Sequence, residues 1–379
     1  MIEVVPHTTV LAEQLHERIQ REGPITFCEW MRTALYDAAG GYYRKPQHQI
    51  WGRRGDYRTS PERSDLFAAT FARYFASLYQ QLGNPRSFSI VEIGGGAGHF
   101  AFGVLQTLRT HHPQVFAATR YVLDEISEPA QTAARQRLIA FADRLEFASS
   151  EDLEIDPGIV FTNELLDAFP IHRVTVIDGK LCEFFVTLGL DEQFEWMIAP
   201  PSTPRLAEYL KRHEICFREG QVAEISLDTE EWLAKVAAKL SRGFLITVDY
   251  GAEAAELYSS GGRQYGTLRG FRHHAFVENV LAAPGDNDLT STINWTAVRT
   301  TGDKVGLRTL QFSRQDKFMI AAGLLDQLAV QFENASEAEK IRLSTAAREM
   351  ILPNGMAASF HVLVQEKMPA KSAFGANRA

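Results

Sequence analysis

The chain reads as an α/β protein with a Rossmann-like, doubly wound sheet, and three stretches predict it. Residues 89–93 form a short, β-branched run that enters Gly94-Gly95-Gly96-Ala97-Gly98. An apolar segment of helical spacing follows, carrying Phe100, Val104, Leu105 and Leu108. Strand, glycine turn and helix make the entry unit of such folds. Two later runs, residues 159–162 and 243–249, are apolar and end in polar residues, Asn163-Glu164 and Asp249-Tyr250-Gly251. Buried parallel strands read this way, and ligands gather at their carboxyl ends.

The elements follow in chain order. Residues 9–22 predict an amphipathic helix with Val10, Leu11, Leu15 and Ile19 on one face, stopped by Gly23-Pro24. Residues 25–35 predict a second, with Thr26 as N-cap and Glu29 closing a capping box. Residues 41–62 carry Tyr42, Tyr43, Trp51 and Tyr57 among glycines and charges, and predict a loop folded over a pocket. Tyr43, Asp56, Thr59, Ser60 and Glu62 are its candidate cleft residues. A helix is expected over 64–82.

Beyond the glycine unit, residues 120–124 predict the second strand. An acidic residue at its tip, Asp124 or Glu125, is where this fold holds ribose hydroxyls. Helix 129–141 and strand 145–147 come next, and Ser150-Glu151-Asp152 falls where an adenine edge is read, with Asp152 as the candidate binding residue. After the fourth strand come Asn163, Glu164 and Asp167. Asn163 can cap a helical turn, and the two acids, three apart, can face one way on it. A carboxylate pair beside a methyl donor would hold a cationic nitrogen nucleophile. Asp178-Gly179 between residues 173–177 and 181–186 predicts a hairpin. The fifth strand ends at Tyr250. Arg269, Arg272, His273 and His274 make a basic segment expected at the cleft or a partner surface. Residues 307–312 and 361–365 predict two more strands, with helices over 316–332 and 335–351 between them.

These elements divide the chain into residues 1–85 (helices and the covering loop), 86–171 (first part of the ligand-binding domain) and 172–240 (an inserted α+β lobe). Residues 241–367 complete the domain, with a cleft-lining insertion near 255–300, and 368–379 read as a disordered tail. Net charge is −8 and 45% of the residues are hydrophobic, which argues against a general nucleic-acid binder. The chain has 3 cysteines and no Cys-x-x-Cys spacing, so no metal site is expected and a reducing, cytoplasmic setting is. No apolar run is long enough for a bilayer span, and no membrane partner is expected.

The glycines alone leave two ligands open. Gly96-x-Gly98-x-x-Ala101 satisfies a loose dinucleotide fingerprint, whereas Glu92-x-Gly94-x-Gly96-x-Gly98 is the form used for S-adenosylmethionine (SAM). No Lys-Ser/Thr follows, so a Walker loop is excluded. A pyrophosphate suits a positive helix start, whereas a sulfonium suits a carboxylate such as Glu92.

Taken together, the motifs resemble the MidA family of SAM-dependent methyltransferases, whose mitochondrial member acts in respiratory complex I assembly. The matching stretches include Gly40-Gly41-Tyr42-Tyr43, Gly55-Asp56-Tyr57, Thr59-Ser60-Pro61-Glu62, Asn163-Glu164 with Asp167-Ala168 and Pro170, Asp249-Tyr250-Gly251 and Thr267-Leu268-Arg269. The resemblance implies a class I methyltransferase sheet with a smaller lobe, and SAM as cofactor. It implies Gly94, Gly96 and Gly98 at the methionine part, Glu92 at its ammonium and Glu125, in preference to Asp124, at the ribose. Glu164, Asp167 and Asn163 are the candidate catalytic residues, with Tyr250 beside them. The family member's symmetric dimethylation of an arginine implies a protein arginine as acceptor. A small metabolite, a SAM-binding assembly factor without turnover, and a homodimer stay open. The sequence departs from the family where Gly-Pro-Gly-Arg-Gly is usual, and it carries Gly103 where an acid is common.

Overall fold

A computed structural model describes residues 9–45, 65–259, 263–273, 275–333, 335–352 and 358–369. The expected covering-loop residues Asp56, Thr59, Ser60 and Glu62 lie outside them, as do His274 and the tail beyond Pro369.

The main sheet is built from β1 (Phe88–Ile93), β2 (Thr119–Asp124), β3 (Leu145–Phe147), β4 (Gly158–Asn163), β5 (Gly243–Ala252), β6 (Leu307–Arg314) and β7 (Phe360–Lys367). Their spatial order is β6-β7-β5-β4-β1-β2-β3. From β3 to β5 all pairs are parallel, and β7 enters antiparallel between β5 and β6. The order reverses between β1 and β4, so loops leaving those two strands diverge and open a crevice. Both faces of the sheet are covered, which is why β1 and β4 are buried along almost their whole length rather than alternating buried and exposed.

Helix α1 spans Val10–Glu22, α2 Phe27–Tyr36, α3 Asp65–Gln81 and α4 His99–His111. The capping box of α2 forms between Thr26 and Glu29 as expected. The helix starts two residues later than predicted, because Ile25 and Thr26 pair with Val186 and Phe185 of the lobe. Phe100 of α4 stacks on Phe161 of β4 at 4.2 Å, with Phe71 and Phe75 of α3 packed around them. This aromatic block fixes the glycine turn against the sheet. The departure at Gly103 has a packing reason: a Cβ there would lie 2.5 Å from the Ala68 Cβ, so α3 and α4 touch through it.

The lobe is an antiparallel sheet of His172–Ile177, Lys180–Leu188, Phe194–Ala199 and Val222–Ile225, joined by Ile25–Thr26. Its first hairpin turns at Asp178 and Gly179, both with positive φ, as an Asp-Gly pair favours. The lobe shares one core with α1 and α2 through Leu15, Phe27, Trp30, Ile171 and Val186. The insertion carries a small sheet of Arg269–Arg272, Ala275–Phe276 and Asp288–Thr290. The single helix expected over 316–332 is two, Gln315–Ala321 and Leu324–Phe332, broken at Gly323 with φ 95°. No helix among the described residues is long and apolar enough to cross a membrane.

Candidate active site

The carboxyl ends of β1, β2 and β4 open into a cleft of about 730 Å³, closed on the far side by α2 and by α5, Leu227–Lys239. That is the size range of cofactor sites. Gly94, Asp124, Glu125, Ser150, Leu165 and Trp232 line it.

The glycine turn takes the expected left-handed backbone, with φ 73° at Gly94, 53° at Gly96 and 74° at Gly98. Gly98 begins α4 without a side-chain cap. A Cβ at Gly95 would lie 2.5 Å from Leu123 Cδ1, so this turn admits no side chain inward.

Glu125 stands at the tip of β2. Its Oε2 accepts the Gly96 N–H at 2.8 Å and its Oε1 the Ser127 N–H at 2.7 Å. One carboxylate thus ties the glycine turn to the end of β2 and keeps lone pairs for a vicinal diol. Burial raises its pKa, against the pull of those amides. Asp124 plays a different part. Its Oδ2 accepts the Ser150 N–H at 2.8 Å and sets the next wall of the cleft. Of the expected adenine-edge stretch, Ser150 and Glu151 line that wall, whereas Asp152 is exposed and does not.

Glu92 is not in the cleft wall. Its side chain packs under the glycine turn, where Tyr121 Oη donates to Oε2 at 2.6 Å. Burial pushes its pKa up to about 8, with the Tyr121 bond opposing. At neutral pH it is mostly a neutral acid, so it braces the turn rather than facing an ammonium group.

The β4 exit also differs from expectation. Glu164 has φ 52°, and the short 3-10 turn begins only at Leu166, so Glu164 and Asp167 do not share a helical turn. Asn163 does not cap it; its Nδ2 donates to Glu164 Oε1 at 3.0 Å. Leu165 points into the cleft, close enough to Gly94 that a Cβ there would meet its Cδ1 at 3.1 Å. Asp167 lies behind that wall, buried, with Oδ1 unbonded among the described residues. Burial raises its pKa to about 6, countered by the Tyr250 hydroxyl and the Arg269 guanidinium. Arg269 lies over the Tyr250 ring, 4.8 Å from its centroid.

The N-terminal helices complete this end. Tyr36 of α2 lines the cleft, donates to the Ala168 carbonyl at 2.9 Å and stacks on Tyr43 at 5.6 Å. Tyr43 donates to Asp288 Oδ1 at 2.8 Å and stands behind Tyr36. Arg272 and His273 do not enter the cleft: both are exposed, and Arg272 pairs with Asp286 at 3.2 Å. Of the basic segment, Arg269 thus reaches the Asp167–Tyr250 side while Arg272 and His273 do not, and sequence reasoning gave Tyr36 no site role. The signal for Tyr36 was an aromatic residue at the C-terminus of α2.

The donor set fits SAM. A diol acceptor at the second strand tip, Gly94 of the glycine turn and Leu165 of the β4 exit follow each other along one cleft, with the acids Glu164 and Asp167 on either side of Leu165 in the chain. Together with the antiparallel β7, they define a SAM-dependent methyltransferase of the Rossmann-like type. Residues 70–313 match a family model described as "Putative S-adenosyl-L-methionine-dependent methyltransferase", and the chain belongs to that family. It is an enzyme, and SAM is its cofactor. A crystal structure of a Burkholderia thailandensis protein bound to S-adenosyl-homocysteine is similar, with a TM-score of 0.83, 27% identity and cover of 94% of this chain and 92% of that one. Among curated proteins, the chain is 26% identical to the mitochondrial protein arginine methyltransferase NDUFAF7 homolog of Drosophila melanogaster, over 78% of this chain and 70% of that one. It is 24% identical to protein arginine methyltransferase NDUFAF7, mitochondrial, of Rattus norvegicus, over 94% and 84%.

Proposed function

We propose that this enzyme methylates a side-chain nitrogen of arginine in a protein substrate. The β4 exit carries the reading: its Leu165 meets Gly94 at the cleft, with Glu164 just before it and the buried Asp167 behind, and the names of the relatives support it. SAM supplies a methyl group on a sulfonium for in-line displacement. The protein has to bring a nitrogen onto that line and make it nucleophilic. A guanidinium stays charged at working pH, so its lone pairs are delocalised. Glu164, beside the wall residue Leu165, holds the guanidinium by one edge and draws its charge there, freeing the opposite nitrogen to attack the methyl carbon; the sulfur–methyl bond breaks to leave S-adenosylhomocysteine, and the extra proton on the methylated nitrogen passes to water. Asp167 supports this from behind with a buried negative charge shared with Arg269 and Tyr250. Tyr36 closes the acceptor side against water.

The test is Glu164→Gln with tritiated SAM and a cell lysate. The variant should bind S-adenosylhomocysteine like the parent and lose transfer into protein. Acid hydrolysis of the labelled protein should return methylarginine. Label confined to small molecules, or unchanged turnover in the variant, would reject the proposal.

A further inference from the structure

We propose that Asp249 is a positioning residue for methyl transfer: its carboxyl group holds the backbone turn that sets both Glu164 and the cleft residue Leu165. The inference rests on the reading of the β4 exit as the acceptor side. Asp249 sits near the end of β5 and is fully buried. Pairing between β4 and β5 ends just before it, where the Glu164 N–H donates to the Val248 carbonyl at 2.9 Å. The next two amides have left the ladder. Asp249 Oδ2 takes both, Leu165 N–H at 3.1 Å and Leu166 N–H at 3.0 Å, while Oδ1 accepts its own Tyr250 N–H at 2.8 Å.

Those bonds stabilise a turn that is costly by itself. Glu164 is left-handed at φ 52°, a conformation that is strained for a non-glycine residue. Without a carboxyl at 249 the turn would also bury amides with no acceptor. Leu165, held by the first bond, abuts the glycine turn at Gly94. The same anchor therefore sets the acid of the acceptor side and the wall of the cofactor cleft.

The surroundings keep this group from acting as a free charge. Glu164 and Asp167 face it from the turn, and Tyr250 follows it in the strand. Arg269 lies across Tyr250, and His361 is its register partner on β7, with a pKa lowered by burial. Burial, then Asp167 and Glu164, raise the Asp249 pKa well above the ordinary range. Asp249 does not line the cleft, so its contribution runs through the backbone it holds.

Asp249→Asn keeps an acceptor for the two leucine amides, and Asp249→Ala removes all three bonds. Misplacing a reacting group by about 1 Å costs on the order of 100-fold, so kcat should fall about tenfold in the first and about 100-fold in the second. Affinity for S-adenosylhomocysteine, read by calorimetry, should change little in Asp249→Asn. Hydrogen exchange should show the Leu165 and Leu166 amides protected in the parent, still protected in Asp249→Asn and faster in Asp249→Ala. Label from tritiated SAM is counted in every lysate acceptor, so the result holds whichever residue is methylated. Non-arginine label would sink the arginine proposal alone. Asp249 loses its role if turnover is unchanged in Asp249→Asn, if cofactor affinity falls in step with turnover there, or if the two amides exchange freely in the parent.

Discussion

Replacing Glu125 with glutamine should weaken S-adenosylhomocysteine binding by about 10- to 100-fold. The carboxylate accepts Gly96 N–H at 2.8 Å and Ser127 N–H at 2.7 Å while it lines the cleft. An amide can match only one of those donors, because its NH₂ would face the other N–H. The ribose diol also loses a charged acceptor. A hydrogen bond to a charged group contributes about 1.5–3 kcal/mol, and about 1.4 kcal/mol is tenfold in affinity. Calorimetry with three ligands isolates the cause. S-adenosylhomocysteine and 5′-methylthioadenosine both contain the ribose and should lose the same factor, while adenine should lose almost none. Affinity for the two nucleosides within twofold of the parent would refute the assignment. An equal loss for adenine would refute the ribose as the reason.

Two further outcomes follow from the glycine turn. Gly98→Ala forces a left-handed alanine at φ 74° and sets its Cβ 3.0 Å from Leu138 Cδ1 and 3.1 Å from Ala134 Cβ. It should cost about 2 kcal/mol of stability in denaturant unfolding; a midpoint equal to the parent's would contradict the packing. Glu92→Gln should leave S-adenosylhomocysteine affinity within about threefold, since the buried acid is mostly protonated at neutral pH. Its folded pKa of about 8 exceeds the ordinary 4.5 of a solvated glutamate, so the folded state binds the extra proton. The parent should therefore lose stability relative to Glu92→Gln as pH rises from about 4.5 through 8, then level off. A melting-temperature difference that is flat across that window, or one that grows in the parent's favour, would show that Glu92 ionises freely.

The legible part of this molecule is the part that local chemistry dictates. The β-branched runs gave β1, β2, β4 and β5 their places, because buried parallel strands must be apolar on both faces. The left-handed Gly94, Gly96 and Gly98, the Thr26–Glu29 cap and the Asp178-Gly179 hairpin were likewise readable, since each meets a need within a few residues. Side-chain direction at the site was less so. Glu92 and Glu125 are both acids beside the glycine turn, yet one packs under it against Tyr121 and the other faces the cleft. The pleat and the neighbouring strand decide that, and neither is written at those positions. Asp167 looked like a partner to Glu164 by spacing, but the left-handed residue between β4 and the 3-10 turn sends it behind the wall.

By itself the glycine turn left SAM and a dinucleotide open, and the family motifs chose SAM; the residue pattern determined the layered α/β fold and the strand ends that meet the cofactor. Those rest on hydrophobic period and backbone freedom, which act over a few residues. Tertiary structure alone decided that Ile25 and Thr26 complete the lobe sheet, that Tyr36 bonds the Ala168 carbonyl and Arg269 lies over Tyr250, and that Asp249 supports the β4 exit. Each of these joins residues far apart in the chain, so it depends on which surfaces meet when the whole core closes.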